Sequence, residues 1–503
     1  MHRRNIYSRP IQYEELARSY PPLLEHLVPT NPPSQWKTIN FQDEQAQRCL
    51  TQALLYRDFK LQLSLPKDRL CPPVPNRLNY VLWIQDIIRA HRYLFREDIR
   101  TIRGIDIGTG ASAIYPLLAC KLEPSWCFIA TEVDNLSFTY AERNIQLNKM
   151  EDHIRLMRAS IDGPILFPLE DYIGPPFDFV MCNPPFYSSR TEISRSAEMK
   201  EFPPNSVCTG ADIEMIYPPG GEAAFIGQMV EESERHGNKC RWYTSMIGKL
   251  ATISEIIVML RKRSVRTYAM TEFVQGQTRR WAVAWSFTNE HLPDSLSRLL
   301  IHPNSTLQSL QPNRNTLINH FQVSFTTIDA QFLQTSLLGI CDSARVQASE
   351  RPLILDEEER PLILRNTSHS PLLTTFRLHP ILVQAETNTW SRKERRKQQQ
   401  QQQPHQIIGE QQHSDGSTTP QTQQQPLLIC SLQWLFDFTA TPANVILESQ
   451  WVFGDDRNMF EGLVSHIVKK MVQVLEPHST RPWDYPPPPT TAGNPTFAGA
   501  RRD

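Results

Sequence analysis

Gly104-Ile-Asp-Ile-Gly-Thr-Gly-Ala-Ser112 is the stretch on which the fold turns. Ile102 to Ile107 suits a buried strand, Ala111 to Lys121 suits a helix, and the residues between them must make a tight turn. Gly108 and Gly110 lack Cβ atoms, so the turn can enter positive φ and bring backbone close to a ligand at the start of the helix. Glu132 closes the next strand-like run, where a carboxylate can accept from both hydroxyls of a ribose. Gly108-x-Gly110-x-x-Ala113 also fits the dinucleotide fingerprint, so these residues imply a nucleotide-type cofactor without choosing one.

Outward from the turn, strands and helices alternate. Cys127 to Thr131, Ile154 to Met157, Phe177 to Cys182 and Arg241 to Ile247 read as strands. Leu136 to Asn148, Glu222 to Arg235 and Ile253 to Arg261 read as helices. Val265 to Thr271 and Ala282 to Phe287 read as a closing strand pair. This spacing predicts an α/β fold around a mostly parallel sheet covered on both faces. Two helices precede it, one carrying Leu50, Leu54 and Leu55, the other Tyr80, Ile84, Ile87 and Ile88, all expected in the core.

The expected organisation is a basic N-terminal arm over 1–34, the α/β domain over 35–290 and a linker over 291–315. A smaller α+β domain follows in two halves, 316–390 and 427–475. Its strands are expected at Phe321 to Phe325, Leu372 to Val383 and Leu427 to Phe438, with a late helix presenting Phe460, Leu463, Val464, Ile467 and Met471 on one face. Between the halves, 391–426 holds Arg392 to Lys397 and then six consecutive Gln, Gln398 to Gln403, too polar to offset chain entropy by burial and so expected to be disordered. The tail 476–503 is expected to be unfolded as well. Forty Pro against nineteen Gly agrees with long loops.

Charge and cysteine usage exclude several classes. Lys+Arg at 52 against Asp+Glu at 53 means that any polyanion binder must concentrate positive charge locally. No apolar run reaches the ~18 residues of a membrane helix, and Met1 to Tyr7 lacks the features of a secretory signal. Nine Cys without a Cys-x-x-Cys pair imply reduced intracellular thiols, with no disulfide framework and no zinc knuckle. The protein is expected to be intracellular and soluble, nuclear and/or cytoplasmic, with no metal site.

Phe177-Asp-Phe-Val-Met-Cys-Asn183-Pro184-Pro185-Phe186 decides the chemistry. A buried strand runs out into two prolines that prevent it from continuing as strand or helix, so Asn183 and Phe186 are held stiffly at the carboxyl edge of the sheet. The Asn183 side-chain oxygen and the Pro184 carbonyl can each accept one N–H of an exocyclic amine, aiming its lone pair at an electrophile. Phe186 offers a face for a planar base, worth about 1–3 kcal/mol per stacked base. A methyl on a sulfonium suits this arrangement, and a nicotinamide does not need it. Cys182, beside the motif, is expected to be a core residue and not a nucleophile.

With these segments, Ala130-Thr-Glu-Val-Asp134, Arg77-Leu-Asn-Tyr80, Arg241-Trp-Tyr243 and Thr271-Glu-Phe-Val-Gln-Gly276 followed by Arg280-Trp-Ala282, the chain resembles the RNA adenine-N6 methyltransferases. Within them it is similar to the eukaryotic branch that modifies U6 small nuclear RNA, over roughly residues 1 to 289. The resemblance implies a Rossmann-like class I methyltransferase fold with S-adenosyl-L-methionine as cofactor. It implies cofactor contacts from Arg77, Gly108, Ser112, Glu132 and Asn183, and an adenine site made by Asn183, Pro184, Pro185 and Phe186. Gly110 is added from the turn, and Asp106 as the acid closing the first strand. A bacterial ribosomal RNA branch shares the glycine segment and Asn-Pro-Pro-Phe. A protein glutamine methyltransferase, of a class that favours Tyr after the prolines, and a non-catalytic RNA-binding scaffold also fit parts of the pattern. Gln277 stands where the family carries Arg, so a phosphate contact there is expected to be shifted or lost.

RNA is the expected partner, with its target adenosine unpaired. Arg3 and Arg4 in the N-terminal arm, with Arg279 and Arg280 in a cluster that includes Lys249, Arg261, Lys262, Arg263 and Arg266, are the expected phosphate contacts. The periodless segment between Phe186 and Phe225 is expected to cover the site.

Overall fold

The computed structural model describes residues 1–30, 37–95, 101–198, 211–275, 278–299, 305–322, 329–351, 375–391, 426–437 and 444–478. Gln277, Arg392 to Lys397, the Gln tract and the tail beyond 478 lie outside the described residues.

The chain divides into two units, the first comprising the described residues of 1–316 and 450–455. Its strands are β1 (Leu27–Pro29), β2 (Lys37–Ile39), β3 (Ile102–Ile107), β4 (Trp126–Glu132), β5 (Ile154–Arg158), β6 (Phe177–Cys182), β7 (Cys240–Ile247), β8 (Thr267–Gln275) and β9 (Thr278–Ser286). Its main helices are α1 (Tyr13–Ser19), α2 (Glu44–Leu54), α3 (Val74–Phe95), α4 (Ile114–Leu122), α5 (Asn135–Leu147), α6 (Arg190–Glu198), α7 (Asp212–Met215), α8 (Gly221–His236) and α9 (Leu250–Lys262). Seven strands form one sheet in the order β5-β4-β3-β6-β7-β9-β8. All pairs are parallel up to β7, and β9 and β8 close the sheet as an antiparallel pair.

Strand order runs outward from the centre in both directions, β3 to β5 on one side and β6 to β8 on the other. The reversal lies between β3 and β6, whose carboxyl ends therefore border the crevice in which open α/β sheets hold ligands. Ile107 and Cys182 are the last paired residues of these strands, so the glycine turn and the Asn-Pro-Pro-Phe corner leave the sheet from the same rung. All six residues of β6 are buried, as a central strand covered on both faces requires. Tyr80, Ile84, Ile87 and Ile88 on α3 are buried too.

Three boundaries differ from the sequence reading. The helix expected from Ala111 begins at Ile114, because Ala113 stands in the left-handed region at φ 47°. The segment expected to be a basic arm is packed down, with Asn5, Tyr7, Leu16 and Leu23 all buried. Its anchor is α3: the Asn5 amide donates to Asn79 Oδ1 (2.7 Å) and to the Pro75 carbonyl (2.9 Å). The segment expected to be a linker holds two short helices, Asp294–Ser297 and Ser305–Leu310, with Leu296, Leu307 and Leu310 buried. It belongs to the first unit because the Tyr268 hydroxyl on β8 donates to the Leu310 carbonyl at 2.9 Å.

The second unit contains a sheet ordered Thr316–Gln322, Asn444–Phe453, Leu428–Asp437, Ile381–Ala385, Gln347–Glu350, with Thr375–Arg377 paired to Leu428–Asp437. The run read as one strand from Leu372 is two, Thr375–Arg377 and Ile381–Ala385, interrupted at Pro380, which has no N–H to give a ladder. The helix Arg457–Leu475 buries Phe460, Leu463, Val464, Ile467 and Met471. The strand Asn444–Phe453 and the helix Ala330–Ser343 were not anticipated.

Gly104 on β3 is where the sheet tolerates least. A Cβ there would lie 2.6 Å from Phe179 Cζ and 2.7 Å from Phe128 Cε1, both rings being buried. Gly104→Ala should therefore destabilise the first unit by about 1–3 kcal/mol through overpacking. A lowered midpoint in chemical denaturation checks this; an unchanged midpoint contradicts the packing described.

Candidate active site

The glycine turn uses its freedom where it must. Gly108 has φ 67° and Gly110 φ 66°, in the left-handed region that favours glycine. The turn is then bonded to the end of β4. Thr109 N donates to the Thr131 carbonyl (2.8 Å), and Gly110 N to Glu132 Oε2 (2.8 Å). The other Glu132 oxygen accepts from Val133 N and Asp134 N, each at 2.9 Å. Burial pushes the Glu132 carboxyl up, against these three N–H donors. In a dinucleotide site the helix N-terminus after such a turn receives a pyrophosphate. Here the protein's own carboxylate takes the Gly110 donor, which disfavours a second anion.

These residues wall a cavity of about 590 Å³, within the size range of ligand sites. Arg77, Gly108, Gly110, Ser112, Glu132, Asn183 and Pro185 line it, so the turn, the acid and the proline corner share one space. Pro184 is buried and Phe186 half-buried, and neither is on the wall of that cavity. Phe186 lies where a Cβ on Gly248 would be 2.7 Å from its Cδ1, with the Arg280 guanidinium 5.8 Å from its ring centroid. Gly248 is itself held by Glu222, which is 1% exposed and accepts from Gly248 N and from Lys249 N (3.2 Å).

Arg77 joins the two halves. Its Nη1 donates to Asn183 Oδ1 (3.1 Å) and to the Tyr115 hydroxyl (3.0 Å), orienting the amide of Asn183 from behind. Below, the Tyr80 hydroxyl bonds Thr244 Oγ1 (2.6 Å) and receives Cys182 N (3.4 Å), tying the end of β6 to α3 and β7. Cys182 is 1% exposed and its thiol is pushed well up by burial, the state of an inert core cysteine.

Asp106 is placed differently from the sequence reading. It does not line the cavity but is buried behind the turn, only 1% exposed. Burial pushes it up to about 7, with the Glu132 charge adding to the shift and Thr109 and Arg77 opposing it. Its burial off the cavity wall gives no support to a direct contact with a ligand in this cavity.

The arginines expected at RNA are divided. Arg4 is turned inward, paired with Asp86 and bonded to Gln85 and the Leu82 carbonyl, while Arg3 is exposed. Arg279 pairs with Glu272 (3.0 Å), Lys249 with Glu192, and Arg263 with Glu231 (2.7 Å) and Glu234. Pairs open to solvent at one or both ends are worth only about 0–1 kcal/mol. Arg280, beside Phe186, is the expected contact placed nearest the corner.

Sequence reasoning expected the segment between Phe186 and Phe225 to cover the site but named no residue of 211–217 as part of it. Ile213, Glu214, Ile216 and Tyr217 also line the cavity. The segment is zipped to the residue after Phe186: Tyr187 N donates to the Met215 carbonyl (3.0 Å) and Tyr217 N to the Tyr187 carbonyl (2.8 Å). Glu214 Oε2 accepts from Leu70 N (3.1 Å) and Ala211 N (3.0 Å), and its Oε1 is 3.9 Å from the position of a Cβ on Gly110. Only the acidic pair Asp212 and Glu214 ahead of the Pro-Pro-Gly-Gly turn hinted at a helix start there.

Two outcomes follow from this geometry. Asp106→Asn should remove a pH dependence. Between the usual carboxylate range and about pH 7 folded Asp106 keeps a proton that the unfolded chain releases, so its contribution to stability is full at low pH and is lost as pH rises through about 7. Denaturation across that window should show the variant gaining on the wild type with rising pH; a constant difference contradicts the burial. Gly248→Ala should push Phe186 out of place, lowering turnover about tenfold or more while ligand binding in the cavity is retained. Unchanged turnover contradicts a role for the ring's position.

Comparison with known proteins agrees with this architecture. Residues 1–289 match the RNA methyltransferase family. The chain is 40% identical over 293 residues to the human RNA N(6)-adenosine-methyltransferase METTL16, covering 58% of this chain and 51% of that protein. It is 38% identical over 277 residues to the Schizosaccharomyces pombe U6 small nuclear RNA (adenine-(43)-N(6))-methyltransferase, covering 54% and 69%. The chain thus spans about half the length of its vertebrate relatives such as the human one. A crystal structure of the hMettl16 catalytic domain in complex with MAT2A 3'UTR hairpin 1 superposes with a TM-score of 0.51 at 37% identity, covering 57% of this chain and 96% of that one. A match over more than half its length places the chain in the RNA methyltransferase family.

Proposed function

We propose that the protein transfers a methyl group from S-adenosyl-L-methionine to N6 of an unpaired adenosine in a structured RNA, with U6 small nuclear RNA as the leading substrate and the nucleus as its place of action. The observation that carries this reading is that the glycine turn and the Asn-Pro-Pro-Phe corner leave the sheet from the same rung, and that Gly108, Gly110, Glu132, Asn183 and Pro185 line one cavity.

The residues present fit the cofactor. Glu132 and Glu214 give the cavity an anionic wall suited to a ligand that is cationic at sulfur, and two glycines leave backbone free for close approach. Arg77, Gly108, Gly110, Ser112, Glu132 and Asn183 would hold it. Bound there, S-adenosyl-L-methionine supplies a methyl carbon open to in-line displacement by nitrogen.

The chain's own part is to bind, aim and exclude water. Asn183 Oδ1 has two lone pairs; Arg77 takes one, which leaves the other for an N–H of the adenine amine. The Pro184 carbonyl, kept out of the ladder by the turn, accepts the second N–H. Together they draw the amine toward the pyramidal form whose lone pair points into the cavity. Phe186, seated on Gly248, presents a face for the base, and Arg280 above it suits a flanking phosphate. As the N–C bond forms the C–S bond breaks, its electron pair stays on sulfur and S-adenosylhomocysteine is left; neither the amide nor the carbonyl is a base, so the proton that the amine gives up passes to solvent.

The relatives named above support the substrate class: one is named for adenosine N6 in RNA, another for adenine 43 of U6 small nuclear RNA.

Incubation with labelled S-adenosyl-L-methionine and, separately, total RNA or total protein should label RNA as N6-methyladenosine. Label confined to protein refutes the RNA reading in favour of a glutamine methyltransferase. Asn183→Ala should lower kcat by at least about 10²-fold with the circular dichroism spectrum unchanged; retained activity refutes the role given to the amide.

A further inference from the structure

Two parts of the cavity wall are remote in sequence, residues 159–165 after β5 and residues 213–218 before α8. One side chain on α8 joins them. Gln228 Oε1 accepts from the Tyr217 hydroxyl, and Gln228 Nε2 donates to Glu232 Oε1 (2.8 Å), one helical turn onward. Glu232, 2% exposed, accepts in turn from Ile165 N (3.1 Å) and Leu166 N (2.7 Å). The Tyr217 ring stands edge-on to Phe225, with centroids 5.1 Å apart and planes at 84°. Through its backbone bond to Tyr187, Tyr217 also reaches the residue that follows Phe186.

We propose that Gln228 is a positioning residue. It fastens both loops to α8 so that the cofactor pocket is shaped before the cofactor arrives and in register with the corner that aims the base. The proposal rests on the reading that this cavity holds S-adenosyl-L-methionine.

The chemistry of the relay selects the residue. Position 228 must accept from a phenol and donate to a carboxylate at the same time, which the two ends of an amide do. Glu there would set a second carboxylate against Glu232, and Lys has no lone pair for the hydroxyl. Tyr217, Phe225, Gln228 and Ile165 all line the cavity, so the relay is part of its wall as well as its support. When the relay is broken the empty wall gains freedom, and ligand binding must then order it at a cost in affinity.

Calorimetric titration of the full chain with S-adenosylhomocysteine tests the idea on the wild type, Tyr217→Phe, Gln228→Leu and the double variant. Tyr217→Phe keeps the ring against Phe225 and removes only the hydroxyl, so a folding defect cannot stand in for the result. Each single change should raise Kd about five- to tenfold. The double variant should be no weaker than the weaker single, because both remove one relay. Hydrogen exchange at the Ile165 and Leu166 amides of the ligand-free protein should accelerate in both singles. With methylation followed in parallel, KM for the cofactor should rise by more than kcat falls. Wild-type binding with unchanged or multiplying effects of the two substitutions, or unaltered exchange at Ile165 and Leu166, overturns the relay while leaving the cofactor assignment standing. A wild type that does not bind S-adenosylhomocysteine overturns the cofactor assignment and the relay with it.

Discussion

The site depends on where two neighbouring strands stop. Ile107 and Cys182 make the last rung between β3 and β6, and the next residues are Gly108 and Asn183. One strand ends in glycines because its backbone must bend into positive φ; the other ends in prolines because it must neither pair nor coil. Both ends face the crevice created where strand order reverses. The Arg77 bridge to Asn183 and the Gly110 bond to Glu132 then lock the two exits in place.

Electrostatics follow from that placement. The chain carries a formal charge of only −1, yet acids surround the crevice: Asp106, buried behind the turn, Glu132, buried, and Glu214, half-buried, on the wall, and Glu222, buried under Gly248. Burial raises the carboxyl of each, so their cost in the empty protein is real and a cationic ligand relieves part of it. The same field resists a pyrophosphate. That arrangement of acids suits the sulfonium of the proposed cofactor better than a dinucleotide, around a turn whose spacing alone fits both.

The central sheet was legible because hydrophobic runs separated by helices repeat at close spacing, and Phe177 to Cys182 matched its strand residue for residue. What depended on distant partners was not. Arg4 reads as part of a basic arm until Asp86 on α3 is seen beside it, and Arg279, Arg263 and Lys249 read as a free cluster until Glu272, Glu231 and Glu192 are placed beside them. The supposed linker hides Leu296, Leu307 and Leu310, spaced too irregularly to show a period. Tyr217 and Glu214 were invisible for the same reason: their partners, Gln228 and Leu70, lie on other elements. Asp106 reads as a ligand contact because it lies near the end of a strand, but it is buried and off the cavity wall.

The central claim is that the proline corner holds an adenine amine against the cofactor's methyl. A bisubstrate analogue with adenine N6 tethered to the cofactor's sulfur position tests it most directly, with binding measured against S-adenosylhomocysteine. The account predicts that the analogue binds at least about 10²-fold more tightly, because it fills both halves of the site in the geometry of the reaction. An analogue that binds no better than S-adenosylhomocysteine would contradict it.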